Sequence, residues 1–275
     1  MTDWEEWNPN EDVIINPPIE TSNADGTDKS MLSWSTLSRF LKEPLYFMRN
    51  REWKIESKGL DLGSYIHRML LQPDEYAKKY KTFTPPCNPT TGEPYKSGKK
   101  YQDALTEFQK EFLAIPEHGE ETLAEIKANL TDYDLMKYLQ GMNEVLLTGE
   151  CSGVKIKGFI DSYSTEYGLV DLKTTSSQLH SLDADYFRYK IREYSYVYQL
   201  AFYAILVHCQ TGVYPQCRIV AVQTTVPFQV GLYEISPVIL EKAIEQIQDD
   251  YLPMWNSYQT CGHVNKFFCR EIDSL

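Results

Sequence analysis

Gly158-Phe-Ile-Asp161-Ser-Tyr-Ser-Thr-Glu-Tyr-Gly168-Leu-Val-Asp171-Leu-Lys173-Thr-Thr175 is the stretch whose reading decides the fold. It reads as two strands joined by a tight turn. Residues 155–160 lead into Asp161, and Thr165-Glu-Tyr-Gly168 supplies the turn, with Gly168 free to take positive φ. Leu169 to Lys173 is the return strand. Side chains alternate along a strand, so Asp171 and Lys173 share a face and Leu172 points the other way, into the core. A hairpin of this length sets Asp161 across from Asp171. Two carboxylates and one ammonium then converge on a small volume. Close carboxylates repel unless a cation lies between them, and hard oxygen ligands suit Mg²⁺ or Mn²⁺. Such an ion polarises a phosphodiester and acidifies a bound water, and a neighbouring lysine stabilises developing charge. Asp-x-Lys alone is also a common surface-strand pattern, so the case rests on the remaining chain.

The totals narrow the classes. The 275 residues are 42% hydrophobic and 24% charged, enough for one full core with a helical elaboration. The longest apolar runs, such as 200–207, are too short to span a bilayer, and the acidic start Met1-Thr-Asp-Trp4-Glu-Glu-Trp7 lacks the pattern of a signal peptide. A cytoplasmic protein with no membrane partner is expected. The six cysteines include no C-x-x-C pair, which argues against a zinc knuckle or iron–sulfur cluster; Cys261-Gly-His263 followed by Cys269 is the nearest approach. The net charge of −12 counts against a simple nucleic-acid-binding module. It counts less against a metal enzyme that grips DNA through a local basic patch.

Outward from the hairpin, residues 143–148 form a strand candidate in which Glu144 is a potential extra ligand or supporting carboxylate, as is Glu150 nearby. Upstream, 60–71 reads as a helix closed by Pro73, with Gly63 one turn before His67. The glycine permits a close approach by another backbone or a ligand. A lone histidine near an apolar face is usually a hydrogen-bonded core residue, so the value of His67 depends on the hairpin coming near it. Further upstream, 33–41 is a helix with Ser33 or Ser35 as N-cap, and 1–30 is a polar arm with little core. Residues 83–98 are a proline- and glycine-punctuated loop, and its basic, aromatic surroundings (Tyr95, Lys96, Lys99, Lys100, Tyr101) suit a nucleic-acid strand as well as solvent. Three helical segments follow, over 100–113, 120–129 and 132–140.

Downstream, 183–192 looks helical and carries Arg188, Lys190 and Arg192, the densest basic patch beside the hairpin. Residues 194–207 form a long helix in which Gln199 and Tyr203, at i and i+4, share a face. Strands at 218–223 and 229–235 and a helix from Ser236-Pro237 complete the pattern, and 257–275 has no assignment.

The ordered set resembles the PD-(D/E)-x-K nuclease superfamily, and within it the RecE/RecB-like exonucleases, including phage RecE-type proteins. The resemblance covers about residues 31–256 and runs through Leu32-Ser-Trp-Ser-Thr-Leu-Ser-Arg-Phe-Leu-Lys-Glu-Pro44, Gly63-x-x-x-His67, Gly158-x-x-Asp161, Asp171-Leu-Lys173-Thr-Thr and Gln199-x-x-x-Tyr203. It implies an α/β fold: a restriction-endonuclease-like core, a central mixed β-sheet flanked by helices, and a helical N-terminal elaboration. It implies that His67, Asp161, Asp171 and the Leu172 carbonyl bind the metal, that Lys173 is catalytic, and that Gln199 and Tyr203 line the site near DNA. Ile160 stands where the motif's name has proline, and no G-x-x-x-x-G-K-[ST] helicase motif occurs, so a stand-alone nuclease domain is expected. The resemblance further implies a homo-oligomeric ring and resection of linear double-stranded DNA ends, 5′ to 3′, for a single-strand annealing protein. A structure-specific or single-strand endonuclease with the same site, and a DNA-end-binding module that does not cut, are the alternatives.

Overall fold

The structure is a computed structural model that describes residues 30–42, 60–176, 187, 189–191 and 195–261. The expected arm at 1–30 lies outside the described residues except for Ser30, and so do Arg188, Arg192, His263 and Cys269.

The organising hairpin forms as the sequence predicts. Strand β5 (Val154–Ser164) and strand β6 (Gly168–Thr175) are antiparallel, with Ser162 opposite Val170, Tyr163 opposite Leu169 and Ser164 opposite Gly168. Gly168 has φ +70, and a Cβ there would lie 2.2 Å from the Gln216 carbonyl oxygen, so both the turn and its neighbour demand glycine. Along one edge of β5 runs β4 (Met142–Cys151), antiparallel over nearly its whole length. The other edge is divided. Its C-terminal part pairs with β6, while Ile156 and Lys157 pair in parallel with the two-residue strand β1 (Leu32–Ser33). Between these pairings β5 and β6 diverge, and Asp161 sits at the fork. β6 continues in parallel with β7 (Cys217–Gln223), which pairs antiparallel with β8 (Val230–Glu234). A mixed six-stranded sheet results, and a separate pair of two-residue strands, β2 (Tyr80–Lys81) and β3 (Leu113–Ala114), stands apart from it.

Alternation along β6 and β7 feeds two apolar layers. Leu169, Ile219 and Ala221 pack against α6 (Tyr196–Thr211), in which Leu200, Ala201, Phe202 and residues 204–207 are all buried. α7 (Pro237–Gln246) joins this layer, and the helical run continues through a π-helical turn (Ile247–Tyr251) into α8 (Leu252–Cys261). Val170, Leu172, Val220 and Val222 face the other way, toward α2 (Leu60–Leu71) and α5 (Gly119–Asp132). The architecture is therefore the α/β one expected, a mixed sheet flanked by helices. Burial of this kind contributes about 1.5–3 kcal/mol for each large side chain removed from water.

α1 (Trp34–Lys42) starts from Ser33, whose Oγ accepts the Thr36 N–H at 3.4 Å. Ser236 occupies the cap position before Pro237, but its carbonyl, not its side chain, accepts the bonds there, from the N–H groups of Ile239 and Leu240. α3 (Pro73–Tyr76) is a single turn. α4 (Lys99–Phe108) is shorter than the predicted 100–113 helix, and the predicted 132–140 helix is only a 3₁₀ turn (Met136–Leu139). Asp134 takes φ +56, which interrupts any helix from α5 onward.

Candidate metal centre and active site

The site forms at the fork. Asp161 closes the paired part of β5, and Leu172, no longer bonded across to β5 in the ladder, donates its N–H to Asp161 Oδ2 at 2.7 Å. This bond holds the two halves of the site together. On one side, α2 brings His67 to the fork: His67 Nε2 lies 3.1 Å from Asp161 Oδ2, and Nδ1 lies 3.2 Å from Glu144 Oε1. His67, Glu144 and Asp161 each offer a ligand atom within 4.8 Å of the others. α2 can come this close because Gly63 lies against β6; a Cβ on it would be 2.8 Å from Thr174 Oγ1.

On the other side, Asp171 and Lys173 share a face as alternation requires, with Lys173 Nζ 2.7 Å from Asp171 Oδ2. Nζ also donates to Gln199 Oε1 at 3.1 Å, and Gln199 Nε2 donates to the Tyr203 hydroxyl at 3.3 Å. The i, i+4 pair on α6 is thus a polar strip facing the site. Gly158 lets that strip approach, since a Cβ there would be 2.9 Å from the Tyr203 ring. Tyr196 also belongs to the site, its ring centroid 4.7 Å from Lys173 Nζ. Sequence reasoning passed over Tyr196, although its position three residues before Gln199 on the same helix was a usable signal.

The electrostatics are set by three buried or half-buried acids around one imidazole and one ammonium. Asp171 is 2% exposed; its Oδ2 has the Lys173 ammonium at 2.7 Å, and its Oδ1 has no hydrogen-bond partner. Burial, opposed by Lys173 and reinforced by Asp161, pushes its carboxyl up to about 6. Burial likewise opposes the charged forms of His67 and Asp161, but their mutual contact wins. The His67 ring is pushed up to about 10 by Asp161 and Glu144, and Asp161 is held below the usual carboxylate range by His67, Lys173 and the Leu172 N–H. Burial also works against the Lys173 ammonium, yet Asp171 and Asp161 raise its pKa above the ordinary value. Burial and then Asp171 push Tyr203 up to about 12, so its hydroxyl keeps its proton. An imidazolium and an ammonium thus carry the positive charge among these acids. A hard divalent cation fits this donor set, because it would give the orphaned Asp171 Oδ1 a partner.

The predicted DNA-contacting residues are more scattered. Lys99 and Lys100 open α4 and are exposed, with Lys100 Nζ donating to the Tyr95 hydroxyl at 3.3 Å. Lys190 is half-buried in a short helical segment. Glu150 is exposed on β4.

These features define a PD-(D/E)-x-K-type site at the fork of a mixed sheet. The chain belongs to the family described as PDDEXK-like domain of unknown function (DUF3799), whose profile matches residues 33–268. Among solved structures it is similar to a "Putative exonuclease" from Eubacterium rectale, at 21% identity over 87% of this chain and 85% of that one, with a TM-score of 0.55. That likeness establishes the fold. The chain is also similar to SSO0001, at 16% identity over 84% of this chain and 91% of that one, with a TM-score of 0.27. No curated protein matches the chain. Among the described residues, no helix is long and apolar enough to cross a membrane.

Proposed function

We propose that the protein is a divalent-metal-dependent deoxyribonuclease, an exonuclease that degrades linear double-stranded DNA from its ends. The observation that carries this is the buried Asp171 carboxylate, whose Oδ1 has no hydrogen-bond partner, set beside Lys173, which also reaches Gln199. His67, Asp161, Asp171 and the Leu172 carbonyl would hold Mg²⁺ or Mn²⁺, which supplies charge to the phosphate and acidifies water. Lys173 holds its ammonium toward the phosphate oxygen on which charge develops, and Gln199 and Tyr203 fix that ammonium's direction. Tyr203 acts as a hydroxyl, not a phenolate. Lys99, Lys100 and Lys190, with Arg188 and Arg192, would grip the DNA backbone.

The family supports phosphodiester chemistry, and the similar structure's printed description supports the choice of exonuclease. The RecE-like motif order supports 5′ to 3′ resection in the cytosol, delivering a single strand to an annealing protein, by a homo-oligomer that gathers basic patches from acidic subunits. The test is linear duplex labelled at either 5′ or 3′ end, and closed circular DNA, each incubated with Mg²⁺ or EDTA. The expected result is Mg²⁺-dependent loss of the linear substrate from its 5′ ends, with intact circles, and no digestion by Lys173→Ala. Cleaved circles would replace the exonuclease by an endonuclease, and normal digestion by Lys173→Ala would overturn the site.

A further inference from the structure

Glu144 is the third residue of β4, where the ladder pairs Asn143 with Ser162 and Val145 with Ile160. That register puts Glu144 opposite Asp161, yet those two form no ladder pair, and Glu144 has φ +53. A left-handed non-glycine residue inside a strand costs backbone free energy and persists only where the surroundings hold it. What the conformation accomplishes is visible: the Glu144 carboxylate reaches His67 Nδ1 at 3.2 Å. The preceding residue fixes the same helix at its end, since Asn143 Nδ2 donates to the Leu71 carbonyl at 3.0 Å and to the Leu139 carbonyl at 2.9 Å. Two successive residues of β4 thus hold α2, one at its C-terminus and one at its histidine. With Nδ1 engaged by the Glu144 carboxylate, the opposite ring nitrogen, Nε2, is the one that faces Asp161, and it becomes the free donor atom once the ring gives up its second proton to make room for a metal.

We propose that Glu144 is a positioning residue for the metal centre. It takes the Nδ1 proton of His67 in a hydrogen bond and so makes Nε2 the metal-binding nitrogen, and the left-handed kink in β4 serves to place it there. The inference rests on the metal-site part of the nuclease reading.

The test is Mn²⁺ binding by calorimetry, with melting temperature measured in EDTA, on the unaltered protein, Glu144→Gly and Glu144→Gln. Glycine relieves the backbone strain and removes the carboxylate. The expected result is a melting temperature little changed in Glu144→Gly, the relieved backbone strain offsetting the lost contact with His67, while Mn²⁺ affinity falls about 10- to 100-fold. Glu144→Gln keeps an oxygen acceptor for Nδ1 and is expected to retain affinity within about threefold, well inside the loss typical of an abolished outer contact. Unchanged affinity in Glu144→Gly overturns the proposal and leaves the nuclease reading standing. Equal losses in both variants overturn it in favour of direct ligation by Glu144. Loss of melting temperature in step with affinity overturns it in favour of a purely structural role. No Mn²⁺ binding by the unaltered protein overturns both.

Discussion

Replacing Asp171 by asparagine should stabilise the metal-free protein while destroying its function. The carboxyl is pushed up to about 6 from an ordinary 3.8, and Lys173's attraction is already included in that balance. A shift of about two units corresponds to about 3 kcal/mol of preference for the neutral form, at 1.36 kcal/mol per unit. The sign follows from linkage. An acid whose folded pKa is raised weakens the fold above that pKa, and the penalty is relieved as pH falls through about 6 toward 3.8. Asparagine copies the shape of the neutral acid at every pH. At pH 8 in EDTA, Asp171→Asn is therefore expected to be more stable by about 1–3 kcal/mol, the lower figure allowing for a buried amide with imperfect partners. For a chain of this size that is a rise of about 2–4 °C per kcal/mol. Excess Mg²⁺ should reverse the order. The unaltered protein gains about 4.1 kcal/mol at a thousandfold excess over its dissociation constant, more than the variant's advantage, and the variant gains nothing. Thermal melts in EDTA and in Mg²⁺ read both effects. A variant that is less stable in EDTA, or equally stabilised by Mg²⁺, would refute the reasoning.

Gly63→Ala puts a Cβ 2.8 Å from Thr174 Oγ1. It is expected to cost about 1–3 kcal/mol and to reduce digestion by shifting the helix that carries His67; adding Thr174→Ala removes the obstructing oxygen and should restore both, as denaturant melts and the digestion assay would show. In EDTA, the His67 contribution is fully present below pH 6.5 and is lost as pH rises through about 10, because its folded pKa is raised. The protein should lose stability between about pH 6.5 and about 10, and His67→Asn should flatten that part of the profile. Gly158→Ala presses on the Tyr203 ring and is expected to slow digestion more than it lowers the melting temperature, since the ring belongs to the polar strip at Lys173.

The parts of the site legible in the sequence are those governed by local rules. Strand alternation gave Asp171 and Lys173 one face, helical spacing gave Gln199 and Tyr203 another, and Gly168 marked the turn. The fork was not legible. Where β5 and β6 part depends on β1 taking a share of the same edge, and a two-residue strand leaves no periodic signal. The Leu172 N–H on Asp161 follows from that fork. The contact of Glu144 with His67 was hidden for a different reason. A left-handed conformation is ordinarily announced by glycine or asparagine, and here a glutamate is held in it by tertiary contacts. The helix predicted at 132–140 failed similarly, its apolar spacing cut short by the backbone at Asp134.

The most direct measurement is the position of manganese, located by anomalous scattering in crystals of the unaltered protein grown with Mn²⁺. The account predicts an ion coordinated by His67 Nε2 and by oxygens of Asp161 and Asp171, with Lys173 beside it. An ion bound elsewhere, with His67 still hydrogen-bonded to Asp161 and Asp171 still contacted only by Lys173, would contradict it.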